Sequence, residues 1–266
     1  MRVGQIPYLN SVLFYHGLEK DAAAGGPITL EPLVPRQLSG AAVESAVDAG
    51  PVPLVTCWDI AETYEPLAMD ARGDFCIATR SKAFSILLFS KRPIEALDGA
   101  NIGVTGETST SVRLMKALFT HYWRVRPACY TSLDWPHNDA FLLIGDEALI
   151  HRRGVKDYPH VADLGEVWYE WTGLPFVFAR WMVRKDLAEE HKRDLIDRID
   201  RSIETGWNDF DAIVEPWSHT LSMTIAEMRG YLEEFRFQMG AEEDAAVERF
   251  RQLDEAARAA EAAATT

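Results

Sequence analysis

The chain has 266 residues, 47% of them hydrophobic, which is enough apolar material for one large domain or two smaller ones. Its 41 acidic residues outnumber its 27 basic residues and give a formal net charge of −14, which argues against nucleic acid or an anionic membrane as a partner. The 3 cysteines are scattered without Cys-x-x-Cys spacing, so we predict buried thiols rather than a disulfide framework or a zinc site.

The first predicted elements are a strand over residues 2–6 and a helix over residues 12–18, joined by a polar turn. Asn10 or Ser11 is the expected helix cap. Residues 1–7 enter the strand without a charged and then apolar leader, and no apolar run reaches the length of a membrane span. We therefore expect a cytoplasmic protein that does not insert into a membrane.

The next elements alternate between strand and helix, as in a βαβ unit. We predict a strand over 28–34, a helix over 37–49, strands over 52–55, 75–79 and 85–90, and a helical turn over 93–99.

Residues 102–119 are predicted to form a short strand, a hydroxyl-rich turn and a helix that begins between Thr108 and Ser111. The first backbone N–H groups of a helix lack intrahelical partners, so they stabilise a carboxylate or a phosphate. Ser109, Thr110 and Ser111 would add hydroxyl donors. The same residue types also form ordinary helix caps, so an N-cap without a ligand remains the alternative.

The remainder of the chain is predicted to contain more strands and then helices alone. We predict strands over 125–130, 140–144, 161–164 and 176–183, a helix over 147–153, only helices after Lys185, and a frayed end over 259–266. Asp146 follows the buried strand 140–144, where it is either a ligand group or the N-cap of the next helix.

This order predicts an α/β protein with two lobes. The first lobe would comprise residues 1–88 and 180–266, and the second residues 89–179, with crossings near 85–90 and 176–183. A ligand is expected in the cleft between the lobes, at the strand ends that carry Asn10, Ser85, the 108–111 turn and Asp146.

Five motifs occur together and in order: Ile-Pro-Tyr-Leu-Asn at 6–10, Ser-Ile-Leu-Leu-Phe-Ser at 85–90, Thr-Ser-Thr-Ser-Val at 108–112, Leu-Leu-Ile-Gly-Asp at 142–146 and Trp-Thr-Gly-Leu-Pro-Phe-Val-Phe at 171–178. With them, residues 2–255 resemble the chorismate dehydratases of the futalosine route to menaquinone. The resemblance implies a two-lobed periplasmic-binding-protein-like fold of type II. In one departure, the 53–59 loop has few of the small hydroxyl residues that the family often carries there, so its substrate contacts are left open.

The resemblance implies that chorismate loses water to give 3-[(1-carboxyvinyl)oxy]benzoate, without a metal or redox cofactor. No metal-spaced cluster and no Gly-rich nucleotide loop occurs in the sequence, in agreement with that expectation. The substrate-binding candidates are Tyr8, Asn10, Ser85, Ser109, Thr110, Ser111 and Asp146.

Asn10 is the candidate catalytic residue, because an uncharged amide can bind the leaving hydroxyl or a substrate carboxylate. Its alternative role is an Asx turn or a helix cap. Tyr8 can donate a hydrogen bond or pack in the core, and the Ser85 hydroxyl can instead satisfy nearby backbone. The general base is either a protein group or a substrate carboxylate, and the sequence does not decide between them.

The alternative functions are a non-catalytic solute-binding protein and the related dihydroxynaphthoate-forming enzyme.

Overall fold

The computed structural model describes residues 1–264. In chain order, the strands and helices of this range are β1 (Arg2–Gln5), α1 (Val12–Ala23), β2 (Thr29–Pro32), α2 (Pro35–Val43), β3 (Ala49–Pro53), α3 (Leu54–Asp59), β4 (Tyr64–Pro66), β5 (Ala68–Met69), β6 (Arg72–Gly73), β7 (Phe75–Thr79), β8 (Ile86–Ser90), β9 (Asn101–Val104), α4 (Thr110–Leu118), β10 (Cys129–Ser132), β11 (Ala140–Ile144), α5 (Gly145–His151), β12 (His160–Asp163), α6 (Leu164–Thr172), β13 (Phe176–Arg184), α7 (Glu189–Asn208), α8 (Phe210–Leu221), α9 (Ile225–Glu233), β14 (Phe235–Gln238) and α10 (Ala241–Ala264).

Most predicted elements are present, but several boundaries differ. The strand predicted over 125–130 lies later, at β10, and α5 begins two residues before the predicted start at 147. The prediction that only helices follow Lys185 is wrong, because Phe235–Gln238 forms β14. The chain is helical through Ala264, so fraying from residue 259 is not seen there, and residues 265–266 lie outside the described range.

The internal contacts divide the chain into two compact units whose bounds differ from the predicted lobes. The first unit contains residues 1–78 and 178–239, and the second contains residues 79–177 and the chain from Gly240 onward. The chain leaves the first unit between Ala78 and Thr79, before the predicted crossing at 85–90. It returns to the first unit near Phe178, within the predicted crossing at 176–183. The chain enters the second unit again between Met239 and Gly240, which was not predicted, and α10 therefore belongs to the second unit.

The first unit is built on a sheet in the order β14-β7-β13-β3-β1-β2, with β4 paired to β13. Strand β1 runs parallel to β2 and β3, and β13 runs antiparallel to β3. The parallel pairs place the ends of β1 and β3 at one edge of the sheet, where the turn containing Asn10 and the 53–59 loop follow.

Helices α1 and α7 pack closely in the first unit through small residues. The Gly17 N–H donates to Ser202 Oγ at 2.8 Å, and that hydroxyl donates to the Leu13 carbonyl at 2.9 Å. A Cβ at Gly17 would lie 3.2 Å from the Ser202 Cβ. The buried face of α7 therefore continues from Leu195 and Ile199 through Ser202 and Gly206, whereas Ile203 and Trp207 are only partly buried.

The second unit is built on a sheet in the order β10-β9-β11-β8-β12. Strand β9 is parallel to β10 and β11, and β8 is antiparallel to β11 and β12. One side of the sheet carries an aromatic cluster, in which Phe141 stacks on Phe89 with ring centroids 5.3 Å apart and meets Tyr158 edge-on at 4.6 Å.

Helix α10 belongs to the second unit because it packs against α4 and α6. Arg113 of α4 forms a two-bond ion pair with the buried Asp254 carboxylate of α10. Phe250 of α10 meets the Trp168 ring at 6.0 Å and the Phe176 ring at 4.9 Å. An ion pair with a buried carboxylate holds a helix in one register, which fixes α10 on this unit.

None of the helices within residues 1–264 combines the length and the apolar character needed to cross a membrane.

Candidate functional site

The turn between β1 and α1 is held by two buried hydroxyl groups. Tyr15 Oη accepts a hydrogen bond from the Ile6 N–H at 3.3 Å and donates to the Gly4 carbonyl at 3.0 Å. The Ser11 hydroxyl lies 2.7 Å from the Ile6 carbonyl and 2.9 Å from the Tyr8 carbonyl, and it donates to them. Burial raises the pKa of Tyr15 far above its usual value, so the phenol keeps its proton and its donor role. The turn is thus fixed from inside the unit.

Asn10 lies at the centre of this turn with one end of its amide unsatisfied. Its Oδ1 atom is buried and has no hydrogen-bond partner within the described residues. The helix cap is Ser11 rather than Asn10, and the Ser11 hydroxyl makes no capping bond. Buried amide groups are nearly always paired in native proteins, so this unpaired oxygen needs an explanation, and ligand binding is our hypothesis for it. Tyr8 is next to it, largely buried, with an extended backbone.

Several of the other predicted site residues meet at one edge of the second unit's sheet. Strands β9 and β11 are parallel, with Val104 opposite Leu142, so both strands end at this edge. The turn with Ser109, Thr110 and Ser111 follows β9, and Asp146 follows β11. Carboxyl ends of parallel strands are the usual position of ligand sites in α/β folds.

Helix α4 begins at Thr110 with Ser109 as its N-cap residue, inside the predicted interval. The Ser109 side chain makes no capping hydrogen bond. Thr110 and Ser111 are buried. The side chain of the cap residue therefore does not cap α4, and the anion site at this turn stays a prediction.

Ser85 and Asp146 are neighbours on this edge, since the Gly145 N–H donates to the Ser85 carbonyl at 2.8 Å. The Ser85 hydroxyl is fully buried and donates to the Ala83 carbonyl at 3.1 Å, which is the backbone role that the sequence left open. Asp146 is not an N-cap, because α5 begins at Gly145 and its cap is Ile144. Its carboxylate instead stands in the first turn of α5, where the helix dipole favours a negative charge.

The sequence analysis missed two carboxylates near this edge, Glu107 and Glu147. Burial, and the nearby Glu107 carboxylate, raise the pKa of Glu147, while His151 partly offsets this. Glu107 lies in the turn before α4, and Glu147 lies in the first turn of α5. A carboxyl group with a raised pKa can exchange a proton closer to neutral pH, which makes Glu147 a candidate acid or base.

Asp163, also missed, fixes the loop that leads to Ser85. Its carboxylate accepts four backbone N–H bonds, from Ala83 at 3.1 Å, Phe84 at 2.6 Å, Gly165 at 2.9 Å and Glu166 at 3.2 Å. Burial raises the pKa of Asp163, and these bonds offset that rise only in part. The residue caps α6, and the signal available in the sequence was an Asp directly before that helix.

The 53–59 loop, whose contacts the sequence left open, forms α3. Thr56 is buried, and its hydroxyl lies 2.8 Å from the Ser39 hydroxyl. The Cys57 thiol faces the carbonyls of Val52 and Pro53, and burial raises its pKa to about 12. Cys57 is therefore an inert thiol at neutral pH. Cys76 is buried as well, whereas Cys129 is exposed, contrary to the expectation of buried thiols.

No group of three or more His, Cys, Asp or Glu side chains in the part of the chain that the structure describes is arranged to hold a metal ion.

Two curated proteins of Thermus thermophilus are similar to this chain. One is named chorismate dehydratase and is 27% identical over 186 residues, which covers 62% of this chain and 66% of that protein. The other is named 1,4-dihydroxy-6-naphtoate synthase and is 26% identical over 179 residues, which covers 58% of this chain and 64% of that protein. The alignments thus span a little less than two thirds of each relative.

Solved structures show the same fold. A protein of Archaeoglobus fulgidus superposes with a TM-score of 0.74 at 17% identity over 96% of both chains. A Candida albicans protein described as having the generic periplasmic binding protein fold superposes with a TM-score of 0.63 at 12% identity, over 97% of this chain and 90% of the other. The fold is therefore of the periplasmic-binding-protein type, as the sequence predicted.

A family model described as menaquinone biosynthesis matches residues 1–256 of the 266-residue chain. With the polar turns, the fold and these relatives in agreement, the chain belongs to the menaquinone biosynthesis family.

Proposed function

We propose that this protein is a chorismate dehydratase, a carbon–oxygen lyase that converts chorismate to 3-[(1-carboxyvinyl)oxy]benzoate. The unpaired Oδ1 atom of Asn10, buried in a turn that other side chains hold in place, is the observation that carries the proposal. The family match and the similarity to a curated chorismate dehydratase support it.

The reaction is the loss of one water molecule. The ring C–H bond next to the ether oxygen breaks, its electron pair forms the last double bond of the aromatic ring, and the neighbouring C–O bond breaks. The departing hydroxide and the released proton together make water. No electrons leave the substrate, so the elimination itself needs no redox cofactor, and aromatisation supplies the driving force.

Asn10 binds the departing hydroxyl group in this proposal. Rotating its amide by 180° exchanges Oδ1 and Nδ2, so the same position can present an acceptor to the hydroxyl hydrogen or a donor to the hydroxyl oxygen. A donor already in place stabilises the negative charge that develops as the C–O bond breaks. Because the turn is fixed by Tyr15 and Ser11, little reorganisation is needed when substrate binds.

The first turn of α4 binds a substrate carboxylate, with Thr110 and Ser111 supplying hydroxyl groups beside the backbone N–H donors. Tyr8, Ser109 and Asp146 remain proposed contacts, and Ser85 supports the edge through its backbone.

The proton acceptor is either a substrate carboxylate or a protein carboxylate. Glu147 is the protein group whose raised pKa suits that task.

Two other functions have specific support. The 1,4-dihydroxy-6-naphtoate synthase of Thermus thermophilus is almost as similar to this chain as the dehydratase. The fold is also shared with solute-binding proteins, such as the alkanesulfonate-binding protein of Xanthomonas axonopodis, so fold alone does not establish catalysis. The Pro-Tyr-Leu-Asn motif at 7–10 favours the dehydratase, because the naphthoate-forming family begins differently.

The test is to incubate purified protein with chorismate, without nucleotide and in the presence of a chelator, and to follow the product by mass. We expect a product lighter than chorismate by one water, at a rate that scales with protein concentration. Tight binding of chorismate with no turnover across a range of pH would contradict the proposal and favour a solute-binding protein. No binding and no turnover would favour the naphthoate-forming activity.

A further inference from the structure

The second unit contains a large surface pocket at the carboxyl end of α4, the opposite end of the helix from the proposed anion site. Its volume is about 1110 Å³, and its walls come from residues 116–130 and from the end of α10. This volume is sufficient for a small organic molecule. The proposed dehydratase reaction makes no use of it.

The backbone is unusual where the chain enters this pocket. Residues Phe119–Trp123 continue α4 as a π-helical turn, and Arg124 follows with a left-handed φ of 56°. The Val125 N–H donates to the Phe119 carbonyl at 2.9 Å and closes the turn. π-helical turns occur frequently at functional sites, and a left-handed non-glycine residue is a strained conformation. Glycine would fit this backbone conformation with less strain than arginine.

Positive charge is concentrated at this pocket although the whole chain carries a net charge of −14. Lys116, Arg124 and Arg126 line the pocket, and Glu261 is the carboxylate among its lining residues. Glu261 forms an ion pair with Lys116 at 3.1 Å. Within residues 1–264, no ion pair engages the side chains of Arg124 and Arg126, and both residues are exposed. Two guanidinium groups are thus available to an anion.

The wall also contains two aromatic side chains, Phe119 and Tyr130, among aliphatic residues such as Val125 and Pro127. Lys116 Nζ lies 4.4 Å from the centroid of the Tyr130 ring, and Phe119 lines the same pocket. Burial and the nearby Glu261 carboxylate raise the pKa of Tyr130, so its phenol stays neutral and can donate a hydrogen bond. Aromatic walls next to guanidinium groups suit a flat ring that carries a carboxylate.

We propose that this pocket is a second binding site, for a small organic anion with a flat apolar ring, such as an aromatic dicarboxylate. A simpler explanation is that the cations only offset the negative end of the α4 dipole. That effect fades within the last turn, so it accounts for Lys116 but not for Arg126, which lies beyond the helix end at Leu118 and the π-helical turn.

The probe is isophthalate, and the reporter is the indole N–H signal of Trp123, whose ring lies 5.5 Å from that of Phe119. The Trp123 signal is assigned among the 8 tryptophans by comparison with Trp123→Phe. The test variant is Arg124→Gly with Arg126→Gln, in which glycine suits the left-handed backbone and both guanidinium groups are removed. Arg36→Gln, an exposed arginine of the first unit, is the matched control for lost charge.

We expect isophthalate to shift the Trp123 signal saturably, with affinity reduced about tenfold or more in the double variant and unchanged in Arg36→Gln. Inorganic phosphate should bind more weakly than isophthalate, because it has no ring. No shift at millimolar isophthalate, equal affinity in the double variant and wild type, or equal binding of phosphate would each overturn the proposal. Chorismate turnover need not be measured, so the result is independent of the proposed dehydratase activity.

Discussion

The candidate polar turns of the two units, one in each, are built in different ways. The β1–α1 turn is held by Tyr15 and Ser11, whose buried hydroxyls satisfy its backbone, and it leaves one Asn10 amide atom unpaired. The β9–α4 turn has no capping bond from its N-cap side chain, and Thr110 and Ser111 are buried at the start of the helix.

This difference indicates different roles. A turn fixed by internal hydrogen bonds keeps one side chain in a set orientation, which matters most as charge develops in the transition state. A helix N-terminus binds an anion equally in substrate and transition state, so it contributes mainly to affinity. We therefore expect changes in the first turn to lower kcat and changes in the second to raise KM.

The largest expected effect comes from Asn10→Ala. Loss of one oriented transition-state group typically costs about 3 kcal/mol, so kcat with chorismate should fall about a hundredfold or more while KM changes little. Steady-state kinetics measure this, with Asn208→Ala at the exposed end of α7 as the matched control. If Asn10→Ala keeps more than about a third of the wild-type kcat, Asn10 only shapes the turn.

Thr110→Val and Ser111→Ala should have the opposite signature. Each removes a hydroxyl from the proposed carboxylate site, so KM should rise by an amount equivalent to roughly 1 to 3 kcal/mol with little change in kcat. Thr29→Val, at an exposed position on β2, tests for non-specific effects of the substitution. Wild-type kinetics in both site variants would show that this turn is only a helix start.

Tyr15→Phe tests whether the first turn is held as the structure indicates. The change leaves the Ile6 N–H without its buried partner, so the free energy of unfolding should fall by roughly 1 to 2 kcal/mol, and kcat should fall more than KM rises. Urea unfolding and kinetics are the measurements, with the exposed Tyr169→Phe as control. A destabilised variant with full kcat would separate the stability of the turn from catalysis and contradict the orienting role.

The smallest expected effect is on stability, in Glu147→Gln. The pKa of Glu147 is raised in the folded protein, so ionisation at neutral pH disfavours the folded state, and the effect is absent below the pKa of the unfolded chain. Glu147→Gln should therefore raise Tm at pH 7, and the gain should shrink as the pH falls through the raised folded-state pKa and vanish below about 4, near the unfolded glutamate pKa. The exposed Glu62→Gln serves as control. A lower Tm at pH 7 would mean that the charged form makes a stabilising contact.

Local patterns in the sequence were sufficient to predict both turns. Strand residues followed by Asn10, and by the 108–111 hydroxyls, indicated strand-to-helix turns that the structure contains at the expected residues. Turn and helix-start signals are local, so they can be identified without knowing what packs around them.

What the sequence did not show depends on contacts between distant residues. The ion pair of Arg113 with Asp254 joins α4 to α10 across a long stretch of chain, and without it the sequence analysis placed α10 with the first lobe rather than with the second unit. The raised pKa of Glu147 depends in the same way on burial and on Glu107. Periodicity identifies an apolar face but not the element that it packs against.

The most direct test of the separate roles is calorimetric binding of the product, 3-[(1-carboxyvinyl)oxy]benzoate, to Asn10→Ala and to Thr110→Val. Because the product no longer carries the departing hydroxyl, we expect Asn10→Ala to bind it within about threefold of the wild-type Kd, and Thr110→Val to bind it about tenfold more weakly. The reverse pattern, with affinity lost in Asn10→Ala and kept in Thr110→Val, would contradict the assignment of catalysis to the first turn and anion binding to the second.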